Sequence, residues 1–165
     1  MLTIRPVAKP DFSAIAALTN HYIRETAIHF GTEPVQPDEL CADWLAAKHR
    51  YPYLVAEDEA GFCGYAKATS FRARAAYAQT AEIGVYIAPA HQRSGVGREL
   101  VSRLIESCAQ RGFHVLIAGV ALPNEGSVRL CESLGFRYVG VFPEIGRKFD
   151  RWHDVAFWQL SLTSG

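Results

Sequence analysis

The 165-residue chain has no surplus of charge: 17 lysines and arginines balance 17 aspartates and glutamates. With no basic tail or long charge run, nucleic acid is not expected as a partner, and nothing draws the chain to a membrane surface. Long hydrophobic runs are missing as well, so no stretch suits a bilayer span. The opening Met1-Leu2-Thr3-Ile4-Arg5 lacks the apolar core of a signal peptide. Cysteine is sparse and scattered. Cys41, Cys63, Cys108 and Cys131 form no C-x-x-C pair, and the six histidines show no ligand spacing, so no metal is expected. Reduced, buried thiols in a cytoplasmic protein are the default for such a pattern. No G-x-S-x-G string occurs, which removes the hydrolase nucleophile elbow. No G-x-x-x-x-G-K-[ST] string occurs, which removes the P-loop.

What is present suits one domain spanning residues 1–165, with 49% hydrophobic residues to build a core. Residues 2–6 alternate and predict a strand. Asp11 opens a helix whose stripe is Phe12, Ile15, Ala16, Leu18, Tyr22 and Ile23. Pro37-Asp38-Glu39 starts a second helix reaching about His49. Residues 53–58 and 62–70 predict a hairpin, and residues 79–87 a further strand. On that strand Glu82, Gly84 and Tyr86 share one face, while Ile83, Val85 and Ile87 share the other. A helix from Gly95 to about Arg111 buries Val96, Leu100, Val101, Leu104, Ile105 and Cys108. Residues 113–121 predict a central strand, and 127–134 a short helix. The last strands are expected at 136–142 and 154–162, separated by a loop containing Gly146 and Trp152. The order β-α-α-β-β-β-α-β-α-β-β is mixed α/β. The strands at 79–87 and 113–121, joined by a crossover helix, should be parallel neighbours.

The informative stretch is Gln92-Arg93-Ser94-Gly95-Val96-Gly97, between a strand and a helix. Glycines let a backbone approach a phosphate, and a helix start offers unpaired N–H groups with partial positive charge. The dinucleotide fingerprint fails, because Leu100 stands where its third glycine belongs. A tight turn into a surface helix is the plainer reading of the same residues.

Further segments extend the pattern. They are Asn20-His21-Tyr22-Ile23, Phe30-x-Thr32-Glu33-Pro34 and Arg50-Tyr51-Pro52-x-Leu54-Val55-Ala56-Glu57. Arg74-x-Ala76-Tyr77, Glu82, Val85-Tyr86-Ile87 and His91-Gln92-Arg93-x-Gly95-x-Gly97 follow in order. Ser127-Val128-Arg129-Leu130, Leu134-Gly135-Phe136 and Trp152-His153-Asp154-Val155-x-Phe157 complete it. In these the chain resembles the phosphinothricin/methionine sulfone branch of the GCN5-related N-acetyltransferases.

The resemblance implies a single-domain fold with a splayed mixed sheet flanked by helices, and a homodimer. It implies acetyl-CoA in the opening between two parallel strands, with its pantetheine along Val85, Tyr86 and Ile87. The pyrophosphate would meet amides of Arg93, Ser94, Gly95, Val96, Gly97 and Arg98, and Asn124 would contact the CoA arm. Glu82 is implied as the base that takes a proton from the amine; periodicity alone reads it as a solvated glutamate on a half-exposed strand. Arg74, Tyr77 and Phe30 match the branch's acceptor-binding pattern, and Arg72 lies beside them. A guanidinium suits an α-carboxylate, although loop arginines are commonly solvated. Cys131 departs from the pattern. Many family members have tyrosine there as proton donor to the leaving thiolate, and this branch usually has histidine. A thiol near pKa ~8.5 could do that work, or pack as a small buried residue with solvent delivering the proton. The expected reaction is N-acetylation of a small amino-acid analogue. Acetylation of a protein N-terminus or a polyamine, and CoA sensing without turnover, are the alternatives.

Overall fold

The computed structural model describes residues 1–162. Alternating strands build one seven-stranded sheet. Its members are β1 (Thr3–Pro6), β2 (Tyr53–Asp58), β3 (Gly61–Ser70), β4 (Thr80–Ile87), β5 (Val115–Ala121), β6 (Arg137–Lys148) and β7 (Arg151–Ser161). They lie in the order β1-β2-β3-β4-β5-β7-β6. Four helices cover the sheet: α1 (Phe12–Glu25), α2 (Pro37–Ala47), α3 (Val96–Gln110) and α4 (Glu125–Ser133).

The period-two alternation of the strands separates two cores. On one face Leu54, Ala56, Ala66, Ala68 and Leu116 meet Leu100, Leu104 and Cys108 of α3 and Cys131 of α4. On the other, Val55 and Tyr65 meet Phe12, Ile15, Leu18 and Tyr22 of α1. Leu100 and Leu104 are completely buried, each stabilising the fold by roughly 1.5–3 kcal/mol. Ile105, expected in the buried stripe, sits half-buried at its margin.

Two features of the sheet matter for function. First, β4 and β5 are parallel, as the crossover helix requires, but their ladder runs only from Thr80–Val115 to Ile83–Ala118. Beyond it β4 stays with β3 as far as Ile87, and β5 stays with β7 as far as Ala121. The sheet opens into a V between them. Second, the loop expected around Gly146 and Trp152 is strand: β6 and β7 continue as a long hairpin that turns at Phe149 and Asp150. Those residues have φ of 55° and 57°, the two left-handed positions of a primed turn. Phe-Asp is not the usual Asn-Gly signal for such a turn, and register shifts between Phe142 and Gly146 interrupt the alternation.

Candidate active site

A cavity of about 800 Å³ lies on the α1 face of β3 and β4, at the mouth of the V. Tyr65, Lys67 and Thr69 of β3 and Glu82, Gly84 and Tyr86 of β4 face it, alternate residues of two paired strands. Over Gly84 the wall is open: a methyl there would meet nothing nearer than the Tyr86 ring at 3.9 Å. Glu82 is the one acid among the lining residues. Partial burial raises its pKa above the usual carboxylate value, and the charge of Arg72 offsets part of that rise. Such a carboxyl is a better proton acceptor than a solvated one.

The far wall is the segment between α1 and α2, which contributes Ile28, His29, Phe30 and Val35. Asn20 of α1 holds it by two bonds, Nδ2 donating to the Val35 carbonyl at 3.0 Å and Oδ1 accepting the Val35 N–H at 2.8 Å. The buried Lys148 of β6 donates to the His29 carbonyl at 2.7 Å. Phe30 rests on Gly146, where an added Cβ would stand 2.2 Å from Phe30 Cε2. The irregular β6 arm thus fixes the wall through one glycine and one buried lysine.

The V continues into a groove lined by Tyr22, Val85, Tyr86, Ile87, Gln92, Arg93, Gly95, Gly97, Arg98 and Asn124. Gly95 caps α3 with φ 87°, and Arg93 has φ 60°. Left-handed residues before a helix turn successive N–H groups toward one concavity, a geometry suited to an anion. The Gln92 side chain is tied down within this groove. Its Nε2 donates to the Tyr22 hydroxyl at 2.9 Å, and that hydroxyl donates to the Ile87 carbonyl at 2.6 Å. Gln92 and Tyr22 therefore lock the glycine loop to the end of β4. The loop's other anchor is His91, whose Nε2 lies 3.1 Å from Asp58 Oδ2.

A family described as "Acetyltransferase (GNAT) domain" matches residues 4–157. The chain belongs to the GNAT acetyltransferase family. It is 42% identical over 156 residues to a phosphinothricin N-acetyltransferase of Streptomyces viridochromogenes, covering 94% of this chain and 85% of that protein. It is 40% identical over 163 residues to an L-methionine sulfoximine/L-methionine sulfone acetyltransferase of Salmonella typhimurium, covering 98% and 95%. An acetyltransferase structure from Salmonella typhimurium, solved with acetyl-CoA, superposes with a TM-score of 0.95 at 39% identity, covering 99% and 95%.

Within this GNAT fold the expected site residues divide. Glu82, Arg72 and Phe30 meet in the cavity. Val85, Tyr86, Ile87, Arg93, Gly95, Gly97, Arg98 and Asn124 meet in the groove. Ser94 and Val96 do not line it: Ser94 Oγ donates to the His91 carbonyl, and Val96 is buried in the core. Asn124 also caps α4, its Oδ1 accepting the Ser127 N–H at 3.2 Å. Tyr77 lies in an adjoining groove with Arg72, Phe142 and Phe157. Arg74 is exposed and lines neither the cavity nor the groove, its carbonyl accepting the Tyr77 N–H at 2.9 Å. Cys131 is buried beside Val101 and Leu130 at the inner end of the V, where burial pushes its thiol up to about 11. Absent from the sequence-based list are Lys67 and the Tyr22–Gln92 pair. The alternation of β3 could have flagged Lys67; nothing in the sequence links Tyr22 to Gln92.

Proposed function

We propose that this GNAT enzyme acetylates the α-amino group of a small amino-acid analogue such as phosphinothricin, methionine sulfone or methionine sulfoximine, using acetyl-CoA. The observation that carries this reading is Glu82, a lone, partly desolvated acid in a cavity that opens on the V. The groove chemistry fits the donor. It combines a helix start, left-handed residues and the exposed Arg93 and Arg98 for a pyrophosphate. Acetyl-CoA supplies an activated acyl group as a thioester. Glu82 orients the amine and accepts its proton, directly or through a water. Peptide N–H groups of the unpaired end of β4, around Val85, are the donors available to the acyl oxygen. Arg72 serves the α-carboxylate and Phe30 the apolar wall; Tyr77 lines the adjoining groove, and Arg74 has no part in binding. No metal is assigned to any step.

Cys131 is read as packing. A free thiol titrates near ~8.5, so proton transfer from a thiol at about 11 to a departing CoA thiolate runs uphill. Solvent is the better donor.

A volume near 800 Å³ lies in the small-molecule range. The cations Lys67 and Arg72 in the cavity oppose a polyamine acceptor. Glu82 opposes a sensor without turnover. The outer strand β6 exposes Tyr138, Val139, Val141, Phe142 and Ile145, more apolar surface than a soluble edge strand tolerates alone. We read this outer strand as covered by a second copy, which sedimentation velocity would show as a dimer. No described helix is long and apolar enough to cross a membrane, and the four cysteines are unpaired, which suits the cytoplasm.

The test is acetyl-CoA-dependent thiol release with phosphinothricin and methionine sulfone, beside polyamines and a blank without acceptor. Saturable turnover of the amino-acid analogues supports the reading. Turnover of polyamines alone overturns it.

A further inference from the structure

Lys67 is not needed for any step above, yet it lines the same cavity as Glu82. Its strand position is defined by register: Lys67 stands opposite Gly84, and Thr69 stands opposite Glu82. It is therefore two residues, about 7 Å, along the strand from the Glu82 rung. Arg72 lies beyond that rung on the opposite side, three residues after Thr69. The lining thus presents two cations and one acid, with the open wall over Gly84 on the Lys67 rung.

The Lys67 side chain forms no ion pair or hydrogen bond among the described residues. Its ammonium lies 5.6 Å from the centre of the Tyr53 ring. Asp43, on α2, is a carboxylate whose field favours its charge. Burial lowers its pKa from the ordinary lysine value. A largely desolvated cation whose nearest compensation is a ring face and a distant carboxylate is costly to the fold, and an anion in the cavity reduces that cost. An amino acid with its amine at Glu82 and its carboxylate at Arg72 would extend a four- or five-atom side chain toward the rung that Gly84 shares with Lys67.

We propose that Lys67 is a specificity-determining residue, selecting acceptors whose side chain ends in an anion over neutral acceptors of the same shape. This rests on the amino-acid-analogue reading of the cavity. Phosphinothricin and methionine sulfone are a matched pair. Both carry a methylated tetrahedral group with two oxygens at the same distance from the α-carbon, but the phosphinate is anionic and the sulfone neutral.

The experiment compares wild type, Lys67→Met and Lys67→Arg in two measurements with both compounds: kcat/KM at saturating acetyl-CoA, and calorimetric affinity with CoA bound. Wild type should prefer the phosphinate. Lys67→Met should lose on the order of tenfold to a hundredfold with the phosphinate while holding the sulfone within about twofold. Lys67→Arg should keep most of the preference, which a merely structural role would not predict. Equal losses on both compounds, or no preference in wild type, overturn the inference. If Lys67→Met does not fold, absence of preference in wild type or its loss in Lys67→Arg decides against the proposal, and its retention in both supports it. The two readings separate cleanly. Turnover of both acceptors without charge preference overturns Lys67 selection alone. Lys67-dependent phosphinate binding without turnover overturns acetylation and leaves the selection standing.

Discussion

Replacing Glu82 with glutamine keeps the shape of the side chain and removes its proton-accepting charge. General-base assistance contributes roughly 10²–10⁴ in rate, so kcat should fall by that factor, while KM for acetyl-CoA, whose groove is built from other residues, stays near wild type. The pH profile gives the sharper test. In wild type, kcat should fall as acid protonates Glu82, with a midpoint above the ordinary carboxylate range, because burial raises this pKa. Arg72 lowers the same pKa, so Arg72→Ala should move the limb to still higher pH. Glu82→Gln should abolish it. Stability must change with the opposite preference. A carboxyl whose pKa is raised on folding binds its proton more tightly folded than unfolded. The wild type therefore loses stability as pH climbs from the unfolded value near ~4.3 through the folded one. Glu82→Gln should melt at a higher temperature than wild type at pH 7 and lose that advantage below about pH 4. Thiol release at saturating substrates and thermal melts across pH measure both effects. A glutamine variant with full kcat and an unchanged acid limb would refute the base assignment.

Gly95→Ala forces a left-handed φ of 87° on a residue with a Cβ. It should destabilise the fold by about 1 kcal/mol and raise the calorimetric Kd for CoA, with the acceptor KM unchanged. Gly146→Ala drives a methyl into the Phe30 ring, so acceptor KM should rise severalfold while KM for acetyl-CoA holds; a rise in both would mean the whole arm had shifted. Cys131→Ala should keep kcat within about twofold across pH 6–9 and lower the melting temperature slightly, as loss of a small buried group does; a large fall in kcat would return the thiol to the proton path.

The sequence is most readable where local pattern and final environment agree. The bounds predicted for β2 match the structure, and the parallel neighbours β4 and β5 follow from handed crossover. The β6–β7 hairpin is not readable, because its turn uses Phe149 and Asp150 and its register slips beside Gly146. In the site, Glu82 and the glycine loop carry recognisable signals. Lys67 carries only the alternation of β3, which puts it on the Tyr65 face; a lysine in a strand still reads as solvated until pairing with Gly84 sets it over the cavity. Arg74 shows the reverse, a clear motif residue that local turn geometry leaves outside both the cavity and the groove.

The early end of the β4–β5 ladder has a consequence for how this scaffold can diversify. An unpaired strand edge reads its ligand with peptide groups, which every sequence possesses. The cavity beside it, on the proposed reading, recognises its ligand with Lys67, Arg72 and Phe30, each replaceable by a single codon change. Donor recognition is thereby insulated from drift, while acceptor recognition stays open to it. On the proposed reading, a change of acceptor needs only a few altered side chains on β3 and the wall segment, with the means of holding the donor left as it is.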